Sequence, residues 1–459
     1  MNTAIFLLAS LLPVIPQPTE WKPGEGECDI RKSRVVTTLV KDKSLGDEGY
    51  RMKIEPGAPG ESGRVTIEAP TEVGIVWGRQ TLAQLKTAGG NISAGEIVDS
   101  PKYRVRGFVM DVGRMYHSLD FLYDLARTMS YFKMNTLHVH LNDNEICKDP
   151  KADWSTKQAA FRLESETYPE LTAKDGHYTK AEFRRFVKDC AAMGVTVVPE
   201  IDVPAHSLAF TRVRPDFASK KYGADHFDLD KTDEILAWLK PLFAEYLTGD
   251  DPVFATPYCH VGTDEYNKAE AEKFRRFTDE MLKMVEGFGY KACAWGALTH
   301  AKGEYPVKAS KDITIDIWHN PYYQPKEAIA AGYSVVCVPD GLVYLVPFAG
   351  YYYDYLNHRY LFDNWEADNI AGYQVPPENL DQVAGGKFAL WNDALGKKKD
   401  GTPYTEADNW DRIFPALETS AEKLWTGKRA DVDWNFFSTL GNSLGEPAGV
   451  KMTHAYRFK

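Results

Sequence analysis

The stretch from Thr179 to Asp202, TKAEFRRFVKDCAAMGVTVVPEID, contains one complete helix–strand unit. Its first half predicts a helix, because Thr179 and Glu182 have the spacing of a capping box and apolar residues recur on one helical face. Gly194 predicts the end of that helix. The following GVTVVPEID is a short apolar run typical of a buried strand, and it ends in acidic residues. A helix followed at once by a buried strand favours a parallel sheet with crossover helices.

Similar apolar runs recur along the chain, with helix-like sequence between several of them. Eight strands in this rhythm predict a (β/α)8 TIM barrel, an α/β fold. The eight candidates are RGFVMD from Arg106, NTLHVHL from Asn135, GVTVVPEID from Gly194, PYCHVG from Pro257, KACAWG from Lys291, DITIDIW from Asp312, YSVVCVP from Tyr333 and KFALWN from Lys387.

The residues before the barrel predict a small α/β N-terminal domain. RVTIEA alternates like a strand, and GIVWGRQTLAQLKTAGG is typical of an amphipathic helix that stops at a glycine pair. We divide the chain into a candidate signal segment (1–15), the small accessory domain (16–98) and the barrel with a C-terminal helix and tail (99–459). The apolar run from Ala4 to Ile15 is too short to span a bilayer. It predicts a signal-peptide core, and hence export to the periplasm or beyond, or else the start of a first strand.

Composition excludes several classes of function. The chain has 459 residues, a formal net charge of −11 and a sequence pI near 5.6, so we expect no nucleic-acid partner. No apolar run is long enough to predict a membrane span. The six cysteines are scattered and contain no C-x-x-C pair, which predicts neither a disulfide scaffold nor a zinc or redox centre. We expect no metal and no cofactor.

Polar and aromatic side chains stand where the strand candidates end. In a barrel of this kind such ends meet on the C-terminal face, where reactive residues cluster. Recurrence at nearly every strand predicts one shared pocket rather than solvated loops. The residues concerned are Asp111, Arg114, His138, His140, Asp143, Glu200, Asp202, His206, His260, Asp264, Glu265, Trp295, Trp318, Asp354, Trp391 and Asp393.

These residue types point to sugar chemistry. Carboxylates accept hydrogen bonds from sugar hydroxyls, and indole faces cover the apolar face of a sugar ring. Asp264 and Glu265 are adjacent, and two close carboxylates push their pKa values apart. A carboxyl kept protonated near neutral pH can act as a general acid. The pair therefore predicts acid–base catalysis on a polyhydroxylated ligand.

Five motifs carry a family resemblance: RGFVMDVGR, HVHLNDNE, PEIDVPAHS, CHVGTDE and ALWND. In this order and spacing they resemble the family 20 glycoside hydrolases, the β-N-acetylhexosaminidase family. The resemblance runs from about residue 16 to 425 and includes GIVWGRQTLAQL, which is similar to the end of the small domain preceding the barrel in that family. It implies an exo-acting enzyme that removes terminal β-linked N-acetylhexosamine from an oligosaccharide or glycoconjugate. It also implies substrate-assisted retention, in which the 2-acetamido oxygen of the substrate attacks the anomeric carbon and forms an oxazolinium intermediate.

The resemblance assigns roles to matched residues. Glu265 would protonate the leaving oxygen and later deprotonate water, and Asp264 would hold the acetamide N–H. Both reach one pocket only if the strand has already broken into loop, because neighbours on a regular strand point to opposite sides. Substrate-binding roles fall to Arg114 at the 3- and 4-hydroxyls, to Asp143, His206 and His260 around the acid–base pair, to Trp295, Trp318, Trp391 and Trp365 as aromatic wall, to Tyr352 and Asp354 as a Tyr-x-Asp pair at the acetamido group, and to Asp393.

The sequence departs from the family pattern in places. PAH replaces the usual PGH, and HVHLNDNE lacks the tryptophan that many members have between the histidines. WND replaces Trp-x-Glu, so Asp393 stands where a longer acid usually reaches the 4- and 6-hydroxyls. Specificity at the non-reducing end is therefore open. A disaccharide-releasing enzyme of the lacto-N-biosidase kind is the alternative.

Two rival interpretations have other chemistry. His138 and His140 share one face of a strand and, with His206 and His260, could ligate zinc in a metal-dependent barrel hydrolase. Against this, the H-x-H motif lies on the second strand rather than the first, and the acidic pair would have no role. A non-catalytic sugar-binding protein is the other rival, and the intact acidic pair argues against it.

Overall fold

The computed structural model describes residues 11–58, 61–144, 160–308, 312–394, 398 and 400–459. The N-terminal part is a five-stranded sheet in which the strands, numbered along the chain, lie in the order first, fifth, third, fourth and second, and only the second and fourth pair in parallel. One helix, α1 (Glu72–Thr87), packs on this sheet and is capped by the Thr71 side chain. The expected small α/β domain is therefore present. Its strands are β1 Glu20–Asp29, β2 Arg34–Leu39, β3 Tyr50–Glu55, β4 Arg64–Ala69 and β5 Asn91–Asp99.

Eight parallel strands then close into a barrel, because the last strand pairs with both the first and the seventh. Each of the eight strand candidates forms one of these strands, in the order of the sequence, so the predicted TIM barrel is confirmed. The barrel strands are β6 Val105–Asp111, β7 Thr136–His140, β10 Thr196–Val203, β13 Tyr258–Gly262, β14 Lys291–Trp295, β15 Thr314–Ile317, β16 Ser334–Cys337 and β20 Val383–Leu390. Seven shorter strands complete the numbering: β8 Asn142–Asp143, β9 Ala160–Phe161, β11 Ala218–Ser219, β12 Gly223–Phe227, β17 Tyr344–Leu345, β18 Asn369–Ile370 and β19 Tyr373–Gln374.

Helices cover the outside of the barrel. The helix that the capping box predicts begins after Thr179, whose side chain accepts from the Glu182 backbone while the Glu182 side chain reaches back to Thr179. Its buried face is the predicted one, Phe183, Phe186, Val187 and Cys190. The helices are α2 Leu119–Tyr131, α3 Lys180–Ala192, α4 Leu208–Val213, α5 Thr232–Leu247, α6 Ala271–Gly287, α7 Pro325–Ala330, α8 Asp340–Val343, α9 His358–Asn364, α10 Glu406–Thr426 and α11 Trp434–Ser443.

A buried ionic latch joins the N-terminal sheet to the barrel. The Lys133 ammonium lies 2.7 Å from the Asp99 carboxylate and donates to the Tyr50 hydroxyl. The Trp425 indole N–H, from the end of α10, donates to the other Asp99 oxygen. All four side chains are buried, and charges in such a place are tolerated only when they are paired and hydrogen-bonded. Each part has its own hydrophobic cluster, and this buried ion pair connects the two parts of the chain.

The last residues of the candidate signal segment are buried in the protein. Leu12, Val14 and Ile15 are buried, and Ile15 exchanges hydrogen bonds with the Gln84 side chain of α1. The earlier residues of the segment lie outside the described residues. No helix in the described part of the chain is both long and apolar enough to cross a membrane. Five cysteines are free and buried, and Cys147 lies outside the described ranges.

Candidate active site

The acidic pair sits on a turn that follows β13. Gly262 and Thr263 both have left-handed backbone angles, φ 69° and 64°, which end the strand abruptly. A side chain at Gly262 would place its Cβ 1.6 Å from the Asp202 carboxylate, so only glycine fits there. This turn brings the side chains of both Asp264 and Glu265 to one pocket. The expectation that the strand breaks before the pair is therefore met by two consecutive left-handed residues.

His206 faces both members of the pair. Its Nε2 lies 3.3 Å from Glu265 Oε2 and 3.7 Å from Asp264 Oδ1, while its Nδ1 lies 3.0 Å from Asp143 Oδ1. Burial opposes charge on this ring, but the surrounding carboxylates, Asp143 first, raise the pKa of His206 well above its usual value. His206 is therefore an imidazolium that points at the pair.

The two carboxyl groups differ in their affinity for protons. Burial, opposed by His206 and supported by Glu265, raises the pKa of Asp264 to about 6. Burial also acts to raise the pKa of Glu265, but the hydrogen bond and charge of His206 outweigh it, and that pKa lies below its usual range. Below about pH 6 the single proton of the pair therefore resides on Asp264 rather than on Glu265. Asp264 Oδ1 is buried and has no hydrogen-bond partner among the described residues.

Arg114 forms another part of the pocket lining. Its guanidinium contacts Asp143 at 2.8 Å, Asp111 at 3.1 Å and Asp393 at 3.4 Å, and its Nε donates to the Asn144 carbonyl. The Tyr351 hydroxyl donates to the other Asp393 oxygen at 2.9 Å. Three carboxylates hold this cation rigidly, which suits the recognition of sugar hydroxyls by a fixed charge.

Aromatic rings enclose the space between the acidic pair and Arg114. Trp295, Trp318 and Trp391 line the pocket as expected, and Trp295 and Trp391 lie 5.8 Å apart between ring centres. Tyr352 also lines it, and its hydroxyl donates to Asp340. The pocket therefore offers an apolar wall beside a charged one, as a sugar ring requires. Of the candidate site residues it brings together Arg114, Asp143, His206, Asp264, Glu265, Trp295, Trp318, Tyr352, Trp391 and Asp393.

Three candidate site residues lie elsewhere. Asp354 is exposed, and Arg412 of α10 binds its carboxylate at 2.8 and 3.0 Å, which turns it away from the pocket. Trp365 is buried outside the barrel wall, where its ring and Leu424 of α10 face the Cα of Gly386 in β20. His260 lies below the pocket, fully buried, with Nδ1 3.1 Å from Glu200 Oε1. The structure therefore brings Tyr352 to the pocket but not Asp354 or Trp365, and His260 can act only through other residues.

The pocket also contains one residue, Tyr344, that the sequence analysis did not assign to it. Tyr344, the first residue of β17, stands between Trp318, Trp391 and Tyr352, at ring-centre distances of 6.5, 5.7 and 5.5 Å. It follows the seventh barrel strand more closely than the tyrosine cluster 351–353, and that proximity is the signal which could have found it. Two residues further on stands a buried valine, Val346, so no acid accompanies this tyrosine. His140 and Asp202 complete the lining.

Some of these side chains could in principle hold a metal ion. The groups with suitably close ligand atoms are His138–Glu200–His260, His140–Glu200–Asp202 and Asp202–His206–Asp264. In the first two, the Glu200 oxygens already accept from the Trp295 indole, His138 and His140. A cation would have to displace these donors. The geometry thus gives the histidines hydrogen-bonding roles.

A closed barrel whose pocket joins paired carboxylates, an imidazolium, a fixed arginine and an aromatic wall defines a glycoside hydrolase. The chain belongs to glycosyl hydrolase family 20: the model of the family's catalytic domain matches residues 103–428, and that of its domain 2 matches residues 31–100.

Known proteins of this family resemble the chain over most of its length. It is 26% identical to a β-N-acetylhexosaminidase of Cellulomonas fimi, over 92% of this chain and 82% of that protein. It is 24% identical to a lacto-N-biosidase of Bifidobacterium bifidum, over 94% of this chain but only 38% of that much longer protein. In structure it is similar to the N-acetyl-β-hexosaminidase of Streptomyces plicatus, with a TM-score of 0.75, 21% identity and coverage of 97% and 96%. At that identity the structural likeness speaks for the fold alone.

Proposed function

We propose that the protein is an exo-acting, retaining β-N-acetylhexosaminidase that uses substrate assistance. The observation that carries this proposal is the turn at Gly262 and Thr263, which directs Asp264 and Glu265 into one pocket beneath an aromatic wall. The named relatives support the activity, since one of them is a β-N-acetylhexosaminidase of similar length. The substrate is then a glycan with a terminal β-linked N-acetylhexosamine.

In the first step the 2-acetamido oxygen of the substrate forms a bond to the anomeric carbon. The bond between that carbon and the leaving oxygen breaks, and Glu265 gives its proton to the leaving oxygen. In the second step a water molecule attacks the anomeric carbon and Glu265 takes its proton. The carbon–oxygen bond of the oxazolinium ring breaks, which restores the acetamido group with retained configuration.

Asp264 suits the part of acetamide holder. Its buried, unpartnered Oδ1 can accept the acetamide N–H, and its negative charge then stabilises the positive charge that develops on the ring. Accepting that bond lowers the pKa of Asp264. The bound sugar also covers Glu265, whose side chain is 49% exposed in the open pocket, and loss of solvent raises its pKa. Substrate binding therefore moves the single proton from Asp264 to Glu265, where the first step needs it.

The wall of Arg114 and Asp393 supports exo action. Arg114 contacts Asp393, which accepts from the Tyr351 hydroxyl, and in this proposal the group binds the outer hydroxyls of the terminal sugar so that the chain ends there. The alternative, release of a disaccharide, draws support from the exposed position of Tyr351, which is 56% accessible at the edge of this wall. A ring on the surface could give way to a second sugar.

The test of substrate assistance compares two aryl glycosides that differ only at carbon 2. The aryl N-acetyl-β-glucosaminide should be hydrolysed with added chelator and without added metal, and the aryl β-glucoside with a plain hydroxyl should be turned over poorly or not at all. A thiazoline analogue of the cyclic intermediate should bind far more tightly than the substrate. Asp264→Asn should reduce kcat more than it raises KM, while Asp381→Asn, at an exposed site on the far end of the barrel, serves as control.

Detection of a stable glycosyl ester on Asp264 or Glu265 by mass spectrometry would refute substrate assistance. Aryl glycosides of N-acetylglucosamine, N-acetylgalactosamine and lacto-N-biose separate the two specificities. Faster turnover of the disaccharide substrate than of either monosaccharide substrate would favour the lacto-N-biosidase alternative.

We further propose that the protein is exported, on the strength of the apolar run from Ala4 to Ile15. The burial of Leu12, Val14 and Ile15 requires any cleavage to fall before these residues. N-terminal sequencing of the mature protein tests this. A mature chain that begins after Ile15 would contradict the role of these side chains in the core.

A further inference from the structure

Below the pocket, the interior of the barrel contains an axial column of charged and polar side chains. The middle layers of such barrels are usually filled by branched apolar residues. Here inward positions on several strands carry charged or polar side chains instead. Because side chains return to the same face of a strand every two residues, these positions and the pocket residues share the inward face. We use the name axial column for Lys387 of β20, Asp316 of β15, His138 and His140 of β7 and Glu200 of β10, all buried.

The column begins at Lys387, which determines the tautomer of His138. The Lys387 ammonium binds the Asp316 carboxylate and lies 3.3 Å from His138 Nδ1. An ammonium group can only donate, so His138 Nδ1 must accept. The proton of His138 is therefore on Nε2, which donates to Glu200 Oε2 at 3.0 Å.

Glu200 links His138 to the residues that line the pocket through hydrogen bonds. Its Oε2 also accepts from His140 Nδ1, and its Oε1 accepts from the Trp295 indole at 2.6 Å, which fixes the ring that lines the pocket. His140 Nε2 then donates to Asp143 Oδ2 at 2.8 Å, and Asp143 binds His206. A continuous series of hydrogen bonds thus connects Lys387 to the imidazolium that faces the acidic pair.

Other ionisable groups lie near the column on three of the barrel strands. His260 of β13 lies 3.1 Å from Glu200 and 3.7 Å from Asp316. Asp202 of β10 lines the pocket above it, and the Cys293 thiol of β14 shares the cavity below it with Lys387. Burial raises the pKa of Cys293 to about 12 and lowers that of His260 to about 4, so both are neutral near pH 7. The charges near neutral pH are those of Lys387, Asp316, Glu200 and His140.

We propose that Lys387 and Asp316 are positioning residues for the hydrolytic reaction, because together they fix the tautomer of His138 and hold Glu200 as a fixed acceptor for Trp295 and His140. The proposal rests on the proposed function for its kinetic test. No net proton transfer through the barrel is required, since Glu265 both gives and regains its proton in one turnover. The pair acts by keeping the charge pattern beneath the pocket constant across the working pH range.

Removing only the lysine should make that pattern depend on pH. In Lys387→Met the Asp316 carboxylate loses its cation, and His138, 3.7 Å away, takes up a proton in its place. A histidine whose pKa is raised in the folded state contributes stability that is lost as pH rises through that value. We expect kcat within about threefold of the parent at pH 5.5 and at least about tenfold below it at pH 8.5, with KM little changed.

The double variant Lys387→Met/Asp316→Asn removes both charges and should bring kcat at the two pH values back to a similar fraction of the parent. Asp316→Asn alone leaves a buried lysine without its anion, so its loss of activity and of melting temperature should be larger at pH 5.5 than at pH 8.5. Lys291→Met, at an exposed lysine that lines the same lower cavity, is the matched control and should follow the parent.

Melting temperatures of all variants at the two pH values give a second reading that needs no turnover. If Lys387→Met does not fold, the opposite pH dependence of Asp316→Asn still decides the matter. Equal ratios to the parent at both pH values, in activity and in melting temperature, would show that the column is ordinary packing and would overturn the proposal. A parent protein that fails to hydrolyse any β-N-acetylhexosaminide would refute the proposed function instead, while the melting temperatures would still test the column.

Discussion

The two sides of the pocket are built in different ways. On the side of the acidic pair, backbone geometry does the positioning: two left-handed residues end β13, and Asp202 fills the space where a side chain of Gly262 would be. On the side of Arg114, side chains do it, through ion pairs and the single hydroxyl of an exposed tyrosine. The difference suggests that the reaction tolerates little displacement, whereas recognition of the sugar hydroxyls can vary with few substitutions.

The largest expected effect is on the catalytic side. Glu265→Gln removes the general acid, and we expect kcat on an oligosaccharide substrate to fall about 10²–10⁴-fold. The measurement is steady-state hydrolysis of a substrate with a poor leaving group. Glu280→Gln, on the solvent side of α6, is the control. Near-normal turnover of Glu265→Gln would show that Glu265 is not the general acid.

The backbone contribution can be separated from simple strain by two glycines. Gly262→Ala places a Cβ 1.6 Å from Asp202, and since a displacement of about 1 Å can cost about 10²-fold in rate, we expect a loss of that size in kcat. Gly289→Ala has the same left-handed strain, φ 87°, but open space around it. It should cost only about 1–2 kcal/mol of stability and leave kcat alone. Equal kinetics in the two variants would contradict the importance of the turn.

The pH dependence of kcat/KM should reflect the single proton of the acidic pair. The active form carries one proton, and because the pKa of Asp264 is raised to about 6, the free pair loses that proton as pH rises through this value. We expect kcat/KM to fall above about pH 6, approaching tenfold per pH unit. A profile measured on the aryl N-acetylglucosaminide checks this. Activity that rises steadily from pH 6 to 8 would show that both carboxylates work ionised.

Asp393 tests the recognition side. Asp393→Ala should raise KM and lower kcat together, by about tenfold in kcat/KM, because contacts with remote hydroxyls help to position the reacting centre. We also expect the parent to discriminate weakly between the gluco and galacto epimers, since the short acid is shared between Arg114 and Tyr351. The same kinetics for parent and variant on both epimers would show that Asp393 does not touch the sugar.

The smallest effect on the kinetic constants is expected from a substitution at Tyr351. Tyr351→Phe removes one hydrogen bond to Asp393, worth about 1 kcal/mol, so KM should rise about fivefold at most with kcat unchanged. Tyr360→Phe is the matched control, an exposed tyrosine on α9. A loss in Tyr351→Phe as large as in Asp393→Ala would mean that the tyrosine itself binds the sugar, and the two sides would be more alike than proposed.

Local patterns explain what the sequence predicted well. The eight strands and the capping box of α3 rest on periodicity and short spacings, and both are present in the structure. Because barrel strands meet on one face, the polar residues at their ends also came together, with ten of the thirteen candidate site residues in the pocket. The left-handed conformation of Gly262 could not be predicted from the sequence, because it depends on how closely Asp202 approaches this residue in the fold.

The candidate residues that lie outside the pocket are held there by contacts between distant parts of the chain. Asp354 is bound by Arg412, and Trp365 lies beside Leu424 of α10 against Gly386, and neither contact has a signature in the local sequence. Three consecutive tyrosines, 351 to 353, stand next to an aspartate and give a local match to the Tyr-x-Asp pattern that Tyr344 lacks. The axial column, in contrast, had a visible signal: Asp316 and Lys387 are charged residues within strands that otherwise read as buried.

The latch between Asp99 and Lys133 has a consequence for how the molecule melts. If the N-terminal sheet detached alone, the Lys133 ammonium would remain in an apolar interior without its anion, and Asp99 would lose the Trp425 indole. Partial detachment is therefore costly compared with the marginal stability of a typical domain. The sheet and the barrel should therefore unfold in a single cooperative transition, although each has its own hydrophobic cluster.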